Sequence, residues 1–163
     1  MSDEIIIVNE KDQVIGYRKR NERLPHEIYR VAALTIKNSQ GDVLLARRAQ
    51  TKKHHPGRWG PAVAGTVEKG ETYEKNIIKE AEEEIGIKNI KFELGLKKEV
   101  KGDFPHFTQQ FNCILDWSIG KFNIDKEEVE EIKWFTQKEL TKKLQTNPEE
   151  FLPSMQKEHE NHV

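Results

Sequence analysis

Cysteine is nearly absent from this chain: Cys113 is the one copy in 163 residues. An internal disulfide is therefore excluded, which fits a reducing compartment and makes the cytoplasm the expected location. Long apolar runs are missing as well. Residues 5–8 and 31–34 fall far short of the ~20 needed to cross a bilayer, so no membrane partner is expected. The opening MSDEIIIVNE lacks the basic head and long apolar core of a secretory signal. Charge of one sign is not in excess either, with 27 Lys and Arg against 28 Asp and Glu and a net charge of −1. A nucleic acid polymer is not the expected partner of such a balance. Nothing resembles a repeat or a linker, so residues 1–163 read as a single domain. A domain of this length buries about 70% of its unfolded surface.

Glutamate, by contrast, is concentrated in one place. Residues 65–87, GTVEKGETYEKNIIKEAEEEIGI, hold seven Glu and no Asp. Glu80, Glu83 and Glu84 stand at i, i+3 and i+4, so a helix sets them on one face. Like charges at that spacing repel by a few tenths of a kcal/mol per pair. Such a face points at solvent or has something positive to hold. Hard divalent cations, Mg²⁺ or Mn²⁺, take oxygen ligands and bind through a few carboxylates together with substrate phosphates. A metal-dependent phosphate enzyme is the leading expectation. Stepping about 100° per residue from Glu80 puts Ile77, Ala81, Ile85 and Ile78 on a stripe beside the acidic one. Gly65 and Gly70 bracket a loop before this helix, and Gly86 ends it.

The remaining pattern is mostly strand. An N-terminal hairpin is expected at 4–17, from apolar EIIIV through polar NEKDQ to VIGY. Residues 18–28, with Pro25, read as a connection. Residues 31–37 and 42–48 flank a Gly-containing turn at 38–41 as a second hairpin. A basic loop leads to a short strand over 59–64. Beyond the acidic helix come strands near 90–100 and 106–117, expected to be antiparallel, and another at 129–135. Phe111, Cys113, Leu115 and Trp117 alternate with polar residues, which makes Cys113 a buried structural thiol rather than a nucleophile. Thr136 with Glu139 resembles a capping box opening a helix to about Gln145. Asn147-Pro148 reads as a second helix start, so C-terminal helices occupy about 136–160. The order is α+β.

Gly65, Glu71, Glu80, Ala81, Glu83, Glu84, Gly86 and Ile87 follow the spacing of the Nudix box. That pattern runs Gly, five residues, Glu, seven residues, then Arg-Glu-apolar-any-Glu-Glu-any-Gly-apolar. Eight of its nine fixed positions are met, and Lys79 stands where the family has Arg. The chain thus resembles the Nudix hydrolase superfamily. The resemblance implies an α/β/α sandwich with a mixed sheet, the box forming a loop-helix-loop. It implies a Mg²⁺- or Mn²⁺-dependent hydrolase of a diphosphate linkage in a nucleoside-diphosphate-linked or related small metabolite. Metal ligands would be Glu80, Glu83, Glu84 and the Gly65 carbonyl, with the general base among Glu83, Glu84, Glu128 and Glu131. Glu71 and Gly86 would support the box. Lys79 is expected to orient a neighbouring carboxylate, Glu83 at i+4.

The basic run LLARRAQTKKHHPGRW at 44–59 and the N-terminal hairpin resemble the isopentenyl-diphosphate isomerase-like branch of that superfamily, over most of residues 4–135. On that resemblance Arg48 and Lys52 touch the substrate diphosphate, Arg as a bidentate fork and Lys as a point charge. The chain departs from true isomerases at three places. Ala64 replaces their proton-transferring cysteine, and Tyr29 and Thr66 replace two metal-binding histidines. An isomerase of prenyl diphosphates and a non-catalytic nucleotide or metabolite sensor stand as alternatives. His54 and His55 have no third ligand at a recognisable spacing, so no zinc site is expected. His26, His106, His159 and His162 are scattered. Glu127, Glu128, Glu130 and Glu131 read most simply as a solvated turn. Trp59, Phe104, Phe107 and Trp134 are candidates for stacking on a base or for the core. The substrate is not encoded in any pattern of this kind, and a homodimer is the commonest assembly for a soluble protein.

Overall fold

The computed structural model describes residues 3–161, so His162 and the side chain of His159 lie outside the described residues. The order of elements is β1 (Glu4–Val8), β2 (Val14–Lys19), β3 (Ile28–Lys37), β4 (Val43–Arg48), β5 (Trp59–Pro61), β6 (Val63–Thr66), α1 (Tyr73–Ile85), β7 (Glu93–Val100), β8 (His106–Ile114), β9 (Val129–Phe135), α2 (Gln137–Thr146) and α3 (Pro153–Asn161). All the strands join one mixed sheet, in which β3 is the spine. Along one edge β3 pairs in parallel with β8, from Tyr29↔His106 to Lys37↔Ile114. It also pairs antiparallel with β1 at its start, β6 in its middle and β4 at its end. The expected antiparallel pairing of the next two strands is present as β7 on β8.

Period-2 alternation divides the apolar side chains between two cores. Ala32, Leu34, Ile36, Leu44, Phe107 and Phe111 bury one sheet face against Ile77, Ala81 and Ile85 of α1. Val43, Leu45, Trp59 and Phe135 bury the other face against Leu144 of α2 and Phe151. Helices on both faces make the α/β/α sandwich expected from the box. Each fully buried Ile or Leu contributes roughly 1.5–3 kcal/mol, so the α1 stripe alone anchors the acidic helix firmly.

Several boundaries differ from the sequence reading, β3 beginning at Ile28 rather than 31 and β8 ending at Ile114 rather than 117, and two further differences have a local cause. The strand expected over 59–64 is two strands, because Pro61 has no N–H to continue a ladder and the chain changes partner at Ala62. β5 follows β4 while β6 follows β3. Pro148 opens only a short 3₁₀ turn, and α3 starts at Pro153. Phe151 is the cause: it is fully buried and extended at φ −118°, ψ 155°. Satisfying the second core therefore breaks the helix before Pro153, whose fixed φ suits a helix start.

The N-terminal hairpin locks onto the acidic segment. Asp12, at φ 59° in the turn, accepts from Arg30 Nε at 2.7 Å, Lys97 Nζ at 2.6 Å and the Tyr73 hydroxyl at 2.9 Å. Arg20 donates to buried Glu68 at 2.9 Å.

Candidate metal and phosphate site

Helix α1 is set by its ends as well as its stripe. Thr72 Oγ1 accepts from Lys75 N at 3.1 Å as the N-cap. Gly86 takes a left-handed φ of 75° as C-cap, with Gly86 N donating to Glu82 O and Ile87 N to Ala81 O, both at 3.1 Å. With Ile77, Ala81 and Ile85 facing the core, Glu80 and Glu84 are turned toward β6. There Gly65 matters for its missing side chain. A Cβ on Gly65 would lie 2.6 Å from Glu80 Cγ and 2.9 Å from Asn76 Oδ1. No other residue lets strand and helix approach this closely.

Burial pushes the Glu84 carboxyl up to about 9, helped by the negative charges of Glu80 and Glu128 and by a hydrogen bond with Glu80. Glu80 is raised too, chiefly by burial and partly by the charge of Glu83, against the pull of Lys79. The two carboxyls thus share a hydrogen bond, and both are shifted toward the protonated form. Glu83 is exposed at the adjacent position. Two half-buried carboxylates that need a positive charge between them fit a hard divalent ion. Among the described residues no three His, Cys, Asp or Glu form a ready-made cage. Mg²⁺ does not require one, because it binds through one or two carboxylates, waters and substrate phosphates.

Lys79 does not reach Glu83 as expected. Its Nζ lies 2.7 Å from Glu71, 3.3 Å from Glu68 and 3.6 Å from Glu80. Helical side chains lean toward the N-terminus, so Lys79 folds back over the loop rather than forward to i+4. Glu71 accepts from Glu68 N at 2.8 Å and Asn76 Nδ2 at 3.1 Å. Burial raises Glu71, but the hydrogen bonds from Lys79, Glu68 N and Asn76 outweigh it and hold the carboxyl below its ordinary value. The loop, Lys79 and Asn76 together form a brace under Glu80.

Across from the carboxylates lies the basic loop. A small cavity is lined by Arg48, Ala62, Ala64, Glu84, Glu128 and Val129, among others. Burial lowers the Arg48 guanidinium, while Glu128 and Glu84 pull it back up. Its Nε donates to His54 O at 3.0 Å, which ties the loop to the site. Lys52 Nζ contacts Glu128 Oε2 at 2.5 Å. Glu128 is held by its backbone: its N donates to Asp125 O at 3.0 Å and its O accepts from Ala49 N at 3.1 Å, while Asp125 N donates to Glu84 O at 2.9 Å. The end of α1, the 123–128 loop and the end of β4 thus converge.

Of the expected site residues, Arg48, Lys52, Glu80, Glu84 and Glu128 come together, with Gly65 packed on Glu80. Glu131 is directed elsewhere, pairing with Arg47 at 3.3 Å and lining a separate groove with Ile119 and Lys126. Of the four aromatics, Trp59 and Phe107 are core residues and Trp134 is partly buried, its Nε1 donating to Trp117 O at 2.9 Å. Only Phe104 is open, half-exposed beside His54 at 5.3 Å between ring centroids. Cys113 is buried as expected. Glu68, Asp12 and Asn76 carry much of the local wiring, yet nothing in their sequence neighbourhood marks them, because their partners are 48, 18 and 10 residues away.

The NUDIX domain family model matches residues 27–155. The uncharacterised Nudix hydrolase YfcD of Escherichia coli K12 is 30% identical over 149 residues, covering 90% of this chain and 79% of that protein. An isopentenyl-diphosphate Delta-isomerase of Aliivibrio fischeri is 25% identical over 162 residues, covering 93% and 90% of the two chains. The crystal structure of DR0079 from Deinococcus radiodurans aligns with a TM-score of 0.84 at 23% identity, covering 97% of this chain and 98% of that one, a likeness of fold.

Proposed function

The chain belongs to the NUDIX domain family, and from that premise we propose that it is a Mg²⁺- or Mn²⁺-dependent hydrolase cleaving a diphosphate linkage in a nucleoside-diphosphate-linked or related small metabolite. One observation carries the proposal: Glu84, hydrogen-bonded with Glu80, shares the wall of one cavity with Arg48 and Glu128, and Lys52 stands at its edge on Glu128. Glu80, Glu83, Glu84 and the Gly65 carbonyl would hold the metal. The ion, when bound, neutralises phosphate charge and lowers the pKa of a water. Arg48 offers its fork to phosphate oxygens and Lys52 a point charge. Glu128 accepts the proton of the attacking water. Lys79, Glu71 and Asn76 keep Glu80 in place and do not touch substrate.

Isomerase chemistry is less well supported. Ala64 lines the cavity where a proton-transferring thiol would be required, and Cys113 faces the core. Among the described residues no helix is long and apolar enough to cross a membrane. With one free cysteine, the enzyme suits the reducing cytoplasm.

The test is phosphate and nucleotide release from a panel of nucleoside triphosphates, sugar nucleotides, dinucleotides, dinucleoside polyphosphates and isopentenyl diphosphate. Turnover that requires Mg²⁺ or Mn²⁺ and is lost in Glu80→Gln and Glu83→Gln is expected. A rearranged prenyl chain, or binding without turnover across the panel, would overturn the hydrolase reading.

A further inference from the structure

We propose that Lys52 is a switch between two anions: it quenches Glu128 in the free protein and transfers to the substrate's diphosphate on binding, which frees Glu128 as the base. This inference rests on the hydrolase reading above and adds the order of events within its site.

The two partners of the ion pair are anchored differently. Glu128 is pinned through its own N–H to Asp125 O and through its carbonyl to Ala49 N. Asp125 is in turn bonded to the Glu84 carbonyl at the end of α1. The backbone that carries this carboxylate is therefore fixed at the cavity that Glu128 lines. Lys52 has only its backbone turn, Lys52 N to Ala49 O at 3.1 Å, and then a four-carbon stem. When the pair separates, the ammonium swings on the longer stem, while the shorter Glu128 side chain stays tethered at the cavity by its backbone.

Separation is easy. The side chains are 29% and 41% exposed, and an ion pair this accessible to water shifts an equilibrium by only about two- to five-fold. A diphosphate brings more negative charge and more acceptor oxygens than one carboxylate, and half-buried Arg48 beside the same cavity adds to its attraction. Glu128 then loses its counter-charge while still facing Glu84 across the cavity. In the hydrolytic step the water oxygen forms a bond to phosphorus as the bridging P–O bond breaks. The electron pair of that bond leaves with the departing group, and the water's proton passes to Glu128 Oε2. Until a diphosphate arrives, the base is occupied.

Calorimetric binding of methylenediphosphonate, whose P–C–P bridge cannot be hydrolysed, tests the exchange in the presence of Mg²⁺. Glu128→Gln removes the competing anion and is expected to tighten binding about three- to five-fold. Lys52→Ala is expected to weaken it about ten-fold, and in that background Glu128→Gln should have no further effect. The same Glu128→Gln protein should lose kcat at least about 100-fold with KM unchanged or lower. Equal tightening in both backgrounds would reduce Glu128 to a bulk negative charge and overturn the exchange, as would no tightening or an unchanged kcat. Coupling of Lys52 with Glu128 in a protein that hydrolyses nothing would retain the anion exchange while the hydrolase reading fell; hydrolysis without coupling would do the reverse.

Discussion

Glu84→Gln in metal-free protein should make the fold more stable, not less, at neutral and basic pH. The folded Glu84 carboxyl holds its proton up to about 9, against an ordinary value of 4.5. Between those values the folded state binds more protons than the unfolded chain, so stability falls as pH rises. The contribution is complete below 4.5 and gone above about 9. From pH 5 to pH 7 the loss amounts to about 3 kcal/mol, from about 1.4 kcal/mol per pH unit. For a chain of this length that is a fall in Tm of roughly 6–12 °C. Glutamine keeps the shape and a hydrogen bond to Glu80 but has no proton to lose. Thermal melts in EDTA from pH 5 to pH 9 should thus show the variant and wild type similar at pH 5 and diverging as pH rises. Mg²⁺ at pH 8 should raise the wild-type Tm and leave the variant nearly unmoved, since the ion replaces the missing positive charge. A difference between the two proteins that stays flat across the pH range would refute the reasoning.

Three further outcomes follow from the same wiring. Lys79→Met leaves Glu71 and Glu80 without their cation while Glu68 retains Arg20, so urea unfolding should show a loss of about 2–4 kcal/mol; Lys79→Arg should recover most of it, and a loss under ~0.5 kcal/mol would discount the brace. Gly65→Ala puts a methyl 2.6 Å from Glu80 Cγ, which should cost about 1–3 kcal/mol by overpacking and abolish stabilisation by Mg²⁺; a normal Mg²⁺ response in melts would show that Glu80 is not positioned by this contact. Gly86→Ala demands a left-handed φ of an L-residue and meets Asn123 Cβ at 2.8 Å, so a loss of at least about 1–2 kcal/mol in chemical denaturation is expected, and stability equal to wild type would contradict the cap geometry.

The sequence by itself determined the parts whose information is local. Glutamates at i, i+3 and i+4 beside an apolar stripe point to a helix with an acidic face, glycines at 65 and 70 bracket the loop before it, and glycine at 86 marks its end. Alternation along 111–117 placed Cys113 in the core, and Thr136 is the N-cap its spacing suggested, accepting from Glu139 N at 3.0 Å. Only the tertiary structure decided which of these groups meet. Lys79 has carboxylates within reach both before and after it on the helix, and side-chain lean selects Glu68 and Glu71 over Glu83. Four glutamates lie between 127 and 131, and the backbone bonds of 123–128 to α1 and β4 bring Glu128 to Glu84 while strand pairing takes Glu131 to Arg47. Asp12 reads as a turn residue and Phe151 as part of a helix until Arg30, Lys97, Tyr73 and the second core claim them. Local spacing sets which face a side chain occupies. Charge and burial partners tens of residues away in the chain set what it does there, and no sequence period encodes those distances.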